Sequence, residues 1–457
     1  MRAASPLVRL LARATCHLFY RVDCVGAAPA AGAVLLLPNH VNALLDPAVI
    51  WATAGRDVRF LAKSTLFDGP LRPLLAGAGA IPVYRRLDQG ADVSKNAETF
   101  AAAGAALAGG DAVCMFPEGI SHSTGRLVPL RTGAARMALG AERAGTSVAL
   151  VAAGLNFERK TAFRSRVTVV YGPAFSCADL VAPPHPDAVA ADHASTQHAP
   201  DLAAPPDAVR VLTDRIAQHM RQLLVEADPA GDDALVDRVD RLYTAARGYP
   251  GPLDRLERRQ IIAAGVKRLR EADPPRYGEI LLRLRRYDQR LARFGFRDRH
   301  LDMQVSRADA IRFAARELLL GVALLPLAAA AIVMFAVPYR LTARAARAAT
   351  PHADVAATAK VAAGVPIYAA WLVLLASVAW WAAGARAALL VLAAMPVVAI
   401  AGLFAIERES AVLDGVRAWF LLRRTGAQTR DRLRRRRSEL ADVLDDVNEW
   451  LNGAPSG

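Results

Sequence analysis

Four short blocks within the first 160 residues place chemistry-bearing side chains next to turn formers. The first is Pro38-Asn39-His40-Val41-Asn42-Ala43-Leu44-Leu45-Asp46-Pro47, directly after the apolar run Ala33–Leu37. A histidine and a carboxylate this close at a strand end suit a general base and its orienter. The imidazole takes a proton, and the carboxylate fixes its tautomer and stabilises the imidazolium. Positions six apart do not share a helix face at ~100° per residue, so a turn must precede any helix. Asp46-Pro47 also reads as a helix N-cap with proline at the first helical position, and the two readings are compatible.

The second block, Gly79-Ala80-Ile81-Pro82-Val83-Tyr84-Arg85-Arg86, ends an apolar run in arginine, whose planar fork matches phosphate; alone, such an arginine is more often a surface residue. The third, Phe116-Pro117-Glu118-Gly119-Ile120-Ser121, follows another apolar run. Its proline and glycine force a turn expected to expose Glu118 and free backbone N–H groups. The fourth, Ser147 to Asn156, is a strand and its exit.

The elements needed to position these blocks are legible around them. Ala33–Leu37, Asp57–Leu61, Gly79–Val83, Ala112–Phe116, Ser147–Ala152 and Val167–Tyr171 read as strands, with helical patterns such as Ala91–Ala108 and Thr132–Ala144 between them. This alternation predicts an α/β domain over 26–182, with a mixed, largely buried sheet flanked by helices. Residues 1–25 read as an amphipathic membrane-associated helix, with Arg2, Arg9 and Arg13 on one face and Leu7, Leu10, Leu11, Leu18 and Phe19 around them. The arginines interrupt the apolar core that a signal peptide needs.

Residues 183–209 carry no Lys or Arg and are rich in Pro, Ala, Asp and His, which suits a linker or insertion. Its histidines, His185, His193 and His198, reflect composition rather than a metal site. Residues 210–310 read as a charged helical region in which Arg283, Arg285, Arg286, Arg290 and Arg293 form either a solvated face or a contact to anionic headgroups. Residues 311–406 hold three long apolar runs, 318–337, 361–383 and 387–406, and are expected to insert in a membrane. The strongly basic 407–457, with four consecutive arginines from Arg434 to Arg437, is expected to be a cytosolic tail.

The whole-chain numbers agree. The chain has 457 residues, 54% hydrophobic, and a net charge of +14; mean hydropathy is +0.21. Positive hydropathy excludes a disordered chain, and with this charge it favours anionic lipid or phosphorylated substrates over nucleic acid, for which no reading motif is present. The four cysteines, Cys16, Cys24, Cys114 and Cys177, have no paired spacing, which excludes a disulfide scaffold and argues against zinc.

Taken in order, the blocks resemble those of the glycerolipid acyltransferase superfamily, the glycerol-3-phosphate and 1-acylglycerol-3-phosphate acyltransferases. The family's Asn-His-x4-Asp is present with five residues between His40 and Asp46; Gly-x-Ile-x-x-x-Arg is met by Gly79, Ile81 and Arg85; Phe-Pro-Glu-Gly-x-Ser is met by Phe116, Pro117, Glu118, Gly119 and Ser121. The fourth block lacks the family's usual proline. The longer first block, with 287–299 and 356–361, is similar to the glycerol-3-phosphate/dihydroxyacetone-phosphate acyltransferase branch.

The resemblance implies a membrane enzyme of phosphatidic acid and phospholipid biosynthesis, multi-pass, with its catalytic domain on the cytoplasmic face. It would move a fatty acyl group from the thioester of acyl-CoA or acyl-carrier protein to glycerol-3-phosphate or dihydroxyacetone phosphate, with no metal or other cofactor. His40 and Asp46 would be catalytic, Arg85 would hold the phosphate, and Glu118 with the Gly119 turn would place the glycerol backbone. Transfer to lysophosphatidate or another lysophospholipid is the alternative within the class. A catalytically silent lipid-binding membrane module is the alternative outside it.

Overall fold

The structure is a computed structural model. It describes residues 6–68, 72–84, 93–122, 124, 126–160, 162–181, 205–227, 232–248, 251–302, 326, 329–348, 356–402 and 427–453. The chain divides into two units, the first comprising Met1–Asp233, Gly251–Ala263 and Ala353–Ala357, the second Ala234–Pro250, Ala264–His352 and Thr358–Gly457.

In the first unit, α1 (Pro6–Phe19) leads into β1 (Tyr20–Val25), followed by β2 (Val34–Pro38), α2 (Leu45–Thr53), β3 (Val58–Lys63), α3 (Arg72–Gly77), β4 (Ile81–Val83), α4 (Asn96–Ala108), β5 (Ala112–Cys114), α5 (Gly133–Arg143), β6 (Ala149–Phe157), β7 (Ser165–Tyr171) and α6 (Pro206–Arg221). The seven strands form one sheet in the order β1-β7-β6-β2-β5-β3-β4. Only β6 and β7 pair antiparallel; every other neighbouring pair is parallel. The sheet is therefore mixed and buried, as the unbroken apolar run Val34–Leu37 requires of a strand covered on both faces.

Three expectations are corrected. The helix expected over 1–25 ends at Phe19, and Tyr20–Val25 is a strand in register with Ser165–Val170 of β7. The first catalytic element thus lies inside the segment assigned to the membrane. The linker expected over 183–209 ends earlier, because α6 begins at Pro206; residues 182–204 lie outside the described ones. Finally, α6 is not part of a separate charged region. Its Val209, Leu212, Ile216 and Met220 are buried in the same core as Leu35, Val113, Ala138 and Leu150. Their spacing is the apolar stripe that a helix lays on a sheet.

The second unit contains most of α7 (Asp232–Arg247), then α9 (Pro274–Phe294), α10 (residues 329–348), α11 (Ala356–Ala383, largely), α12 (Ala385–Gly402) and α13 (Ala427–Gly453). Between α7 and α9, α8 (Pro252–Ala272) is shared by both units. Asp273 caps α9, accepting from the Arg276 N–H at 3.0 Å. Two stretches, Ala362–Ala383 and Ala385–Gly402, are long and apolar enough to cross a membrane among the described residues. Gly384 separates them in the left-handed region, φ 82°, which is open to glycine without strain.

Most of the first apolar run, 318–325 and 327–328, lies outside the described residues. After it, α10 continues through the basic residues Arg340, Arg344 and Arg347. The C-terminal stretch is not a free basic tail. From Ala427 it is helix, and Arg437 is buried with both terminal nitrogens 2.7 Å from the Asp302 carboxylate.

Candidate active site

Parallel strands that lie side by side send their following loops out of the same sheet edge. β2 and β5 are such neighbours, so the loop after Pro38 and the loop after Cys114 meet although their residues are 78 apart in sequence. Crevices outside the carboxyl ends of the strands are where open α/β sheets build their sites.

Here Asp46 folds back on its own loop. It sits in the first turn of α2, and its Oδ2 lies 2.8 Å from His40 Nδ1 while accepting the N–H groups of Val41 at 2.8 Å and Asn42 at 2.7 Å. Its side chain is fully buried, whereas His40 keeps 19% of its side chain exposed. The N-cap reading is replaced, because the helix starts at Leu45 with Asp46 inside it and Leu44 before it. The turn that brings the carboxylate back runs through Ala43 at φ 45°, a left-handed conformation that costs a non-glycine residue about 1 kcal/mol or more. The Ala43 N–H donates to Ser121 Oγ at 3.1 Å, which holds that turn.

An ionised carboxylate only accepts, so the proton between the pair belongs to His40 Nδ1 and Nε2 presents its lone pair. Nε2 makes no hydrogen bond among the described residues. The Phe116 ring stacks on the imidazole at 4.1 Å between centroids and limits its rotation. This is a fixed tautomer in a fixed orientation with one free basic nitrogen, the arrangement general-base catalysis needs.

Glu118 departs from its expected exposure. Far from being exposed by its turn, it is 1% exposed. Its Oε2 accepts the His40 N–H at 2.5 Å, and its Oε1 lies 2.7 Å from His122 Nε2. The His122 N–H in turn donates to the His40 carbonyl at 3.1 Å, and Thr124 Oγ1 lies 2.6 Å from His122 Nδ1. The His40 peptide is thus gripped on both its polar groups. Holding that peptide is what the Glu118 geometry shows. Gly119 makes the turn possible with φ 71°, and Pro117 is buried with its carbonyl accepting the Arg131 N–H at 2.7 Å.

On the other side of β2, Asn39 exchanges two bonds with the Leu155 backbone, at 2.7 and 3.2 Å. Asn42 Nδ2 donates to Tyr20 Oη at 2.7 Å, and Tyr20 Oη donates to the Lys160 carbonyl. Burial pushes the Tyr20 hydroxyl well above its ordinary range, which keeps it protonated as that donor. The first block contains Asn39 and Asn42 without assigning them a role, and Tyr20, Lys160 and His122 lie outside the motifs. The one local signal was His122, four residues after Glu118.

Gly79 stands apart from this cluster. Its φ of 63° turns the chain into β4, three strands from β2, or roughly 14 Å at the usual spacing between strands. Arg85 lies outside the described residues. Cys114, inside β5, is fully buried, and desolvation holds its thiol well above the ordinary value with the Asp46 charge adding to it. It is no nucleophile. No cluster of His, Cys, Asp and Glu suited to a metal occurs among the described residues.

A buried α/β sheet carrying a His–Asp base and a Phe-Pro-Glu-Gly turn on adjacent strand ends defines the acyltransferase class. A family model described as Acyltransferase matches residues 21–153, the stretch that carries the His40 and Glu118 loops. Over 139 residues the chain is 30% identical to glycerol-3-phosphate O-acyltransferase 1 of Saccharomyces cerevisiae, covering 30% of this chain and 16% of the yeast protein. Over 79 residues it is 42% identical to glycerol-3-phosphate O-acyltransferase 2 of the same yeast, covering 17% of this chain and 11% of that protein. The matches therefore span a small part of the yeast proteins. Among solved structures, the 1-acyl-sn-glycerophosphate acyltransferase PlsC of Thermotoga maritima aligns over 48% of this chain and 78% of that one, with 15% identity and a TM-score of 0.32.

Proposed function

We propose that the protein is a membrane-bound O-acyltransferase that transfers a fatty acyl group from acyl-CoA or acyl-carrier protein to glycerol-3-phosphate or dihydroxyacetone phosphate. The observation that carries this reading is the His40–Asp46 pair, with Nδ1 committed to the carboxylate and Nε2 unbonded among the described residues. The acceptor hydroxyl gives its proton to Nε2 as its oxygen attacks the thioester carbonyl. The carbon–sulfur bond then breaks, and the imidazolium returns the proton to the leaving thiolate. Asp46 supports the charge that appears on the ring in between. Arg85 is assigned the acceptor phosphate; Arg85→Lys should raise KM for the acceptor with little change for acyl-CoA. The names of the yeast relatives favour glycerol-3-phosphate among the acceptors.

The test is the purified protein with labelled palmitoyl-CoA, offered glycerol-3-phosphate, dihydroxyacetone phosphate and lysophosphatidate in parallel. Product with either of the first two supports the reading. Turnover with lysophosphatidate alone reassigns the acceptor, and no turnover with any of them sinks it.

We further propose that α11 and α12 cross the bilayer as a hairpin with Gly384 and Arg386 at its outer turn, leaving the catalytic domain on the cytoplasmic face. Single cysteines at positions 344, 385 and 438 in a cysteine-free background should react with an impermeant reagent from outside only at 385. Labelling at 344 from that side would overturn this topology.

A further inference from the structure

α1 packs along α2, and the two leave between them a cleft of about 340 Å³. It is lined by Arg9, Leu10, Arg13, Trp51, Arg56 and Asp57, among others. It lies toward the far end of α2 from Asp46; that helix, at ~1.5 Å per residue, is about 13 Å long. The cleft is therefore separate from the acyl-transfer site.

Its charge is unbalanced. Asp57 pairs with Arg9, which cancels one cation. The Arg9 Nε–H has no hydrogen-bond partner among the described residues. Arg56 spends its N–H groups on the carbonyls of Pro29 at 2.9 Å and Gly110 at 2.8 Å, bonds that leave its charge uncompensated. Arg13 is exposed, and the one carboxylate lining the cleft, Asp57, is paired with Arg9 instead. Beside these cations, Leu10 is 64% exposed and Trp51 contributes an aromatic wall. Two uncompensated guanidinium groups beside an exposed leucine and an indole call for a ligand that is anionic at one end and apolar at the other.

We propose that this cleft binds the phosphate headgroup of an anionic glycerolipid, with Arg13 donating to the phosphate, Arg56 adding its charge from the cleft wall, and Leu10 and Trp51 against the start of its acyl chains. The proposal rests on the acyltransferase reading only in its choice of lipid, since phosphorylated glycerolipids are the product class of that chemistry. What it adds is a second lipid site, outside the catalytic loops, that holds product or bilayer lipid against α1.

The experiment uses the full chain in micelles of a neutral detergent, with phosphatidate brominated on its acyl chains as a tryptophan quencher. Wild-type protein should show saturable quenching, and Trp51→Phe should lose that component. Arg13→Gln alters an exposed side chain and should weaken binding about fivefold, the usual effect of one cation near an anionic lipid. His40→Ala should bind as wild type does. Equal quenching by brominated phosphatidylcholine, displacement of the lipid by inorganic phosphate alone, or wild-type affinity in Arg13→Gln would each overturn the proposal. Arg13→Gln should keep its turnover in these micelles, so failure of the cleft is separable from failure of the acyltransferase reading, which would show as an inactive wild-type protein.

Discussion

The loops at the carboxyl ends of β2 and β5 and the helices α11 and α12 are opposites in how their surfaces are satisfied. In the loops, buried polar groups are held by specific partners: Asp46 takes three donors on Oδ2, though its Oδ1 has none among the described residues, and Glu118 divides its oxygens between His40 and His122. In the helices, large apolar side chains stand open, with Trp381 90% exposed and Leu390 69%. A water-facing helix pair with that surface is unstable, whereas hydrocarbon satisfies it without further contacts. The first region depends on geometry at the scale of tenths of an ångström, the second on composition over twenty residues. Substitutions should therefore act sharply in one and diffusely in the other.

The largest effect belongs to the base. His40→Ala should abolish acyl transfer while the protein stays folded, and near-normal turnover would remove the mechanism. Asp46→Asn should lower kcat by about 10²-fold or more, because the amide neither fixes the tautomer nor supports the imidazolium. A smaller step tests the grip on the His40 peptide. His122→Phe should lower kcat about tenfold with KM for acyl-CoA nearly unchanged, and His122→Gln, which keeps a donor toward Glu118, should recover most of it. Equal losses in both variants would make His122 a packing residue.

In the helical region, Arg437→Ala should lower the thermal midpoint without touching kcat. Asp302 is half exposed, so solvent screens much of that pair and the cost stays at about 1 kcal/mol. The smallest effect concerns the thiols. Burial pushes Cys16 and Cys177 up to about 12, and Cys114 is raised as well. Maleimide at neutral pH should modify exposed Cys24 and leave turnover intact. Thiols whose folded values are raised support stability fully below the unfolded value near 9 and lose that support as pH rises through the folded one. The thermal midpoint should accordingly fall between pH 9 and 12.

The strands that carry the site were legible because β2, β5 and β6 are uninterrupted apolar runs, and the turn residues around His40 and Glu118 announced themselves. β1 was not, since Tyr20-Arg21-Val22-Asp23-Cys24-Val25 follows an amphipathic helix without a breaking residue and only its pairing with β7 makes it a strand. α6 was legible as a helix but was assigned to the charged helical region, because the long linker-like segment before it hid its return to the core. The partnership of Glu118 with the His40 N–H follows from the adjacency of β2 and β5, which no local pattern encodes. The double bond between Asn39 and the Leu155 backbone is likewise a product of strand order.

The pairing of β1 with β7 also sets a timetable. Tyr20 leaves the ribosome well before its partner Ser165 has been made. At ~5–20 residues per second, that interval is roughly 7–30 s. Throughout it β1 has no strand to pair with, because β7 is its one neighbour in the strand order. The segment that carries α1 and β1 therefore joins the sheet only when synthesis has passed β7, and that edge of the domain is the last to close.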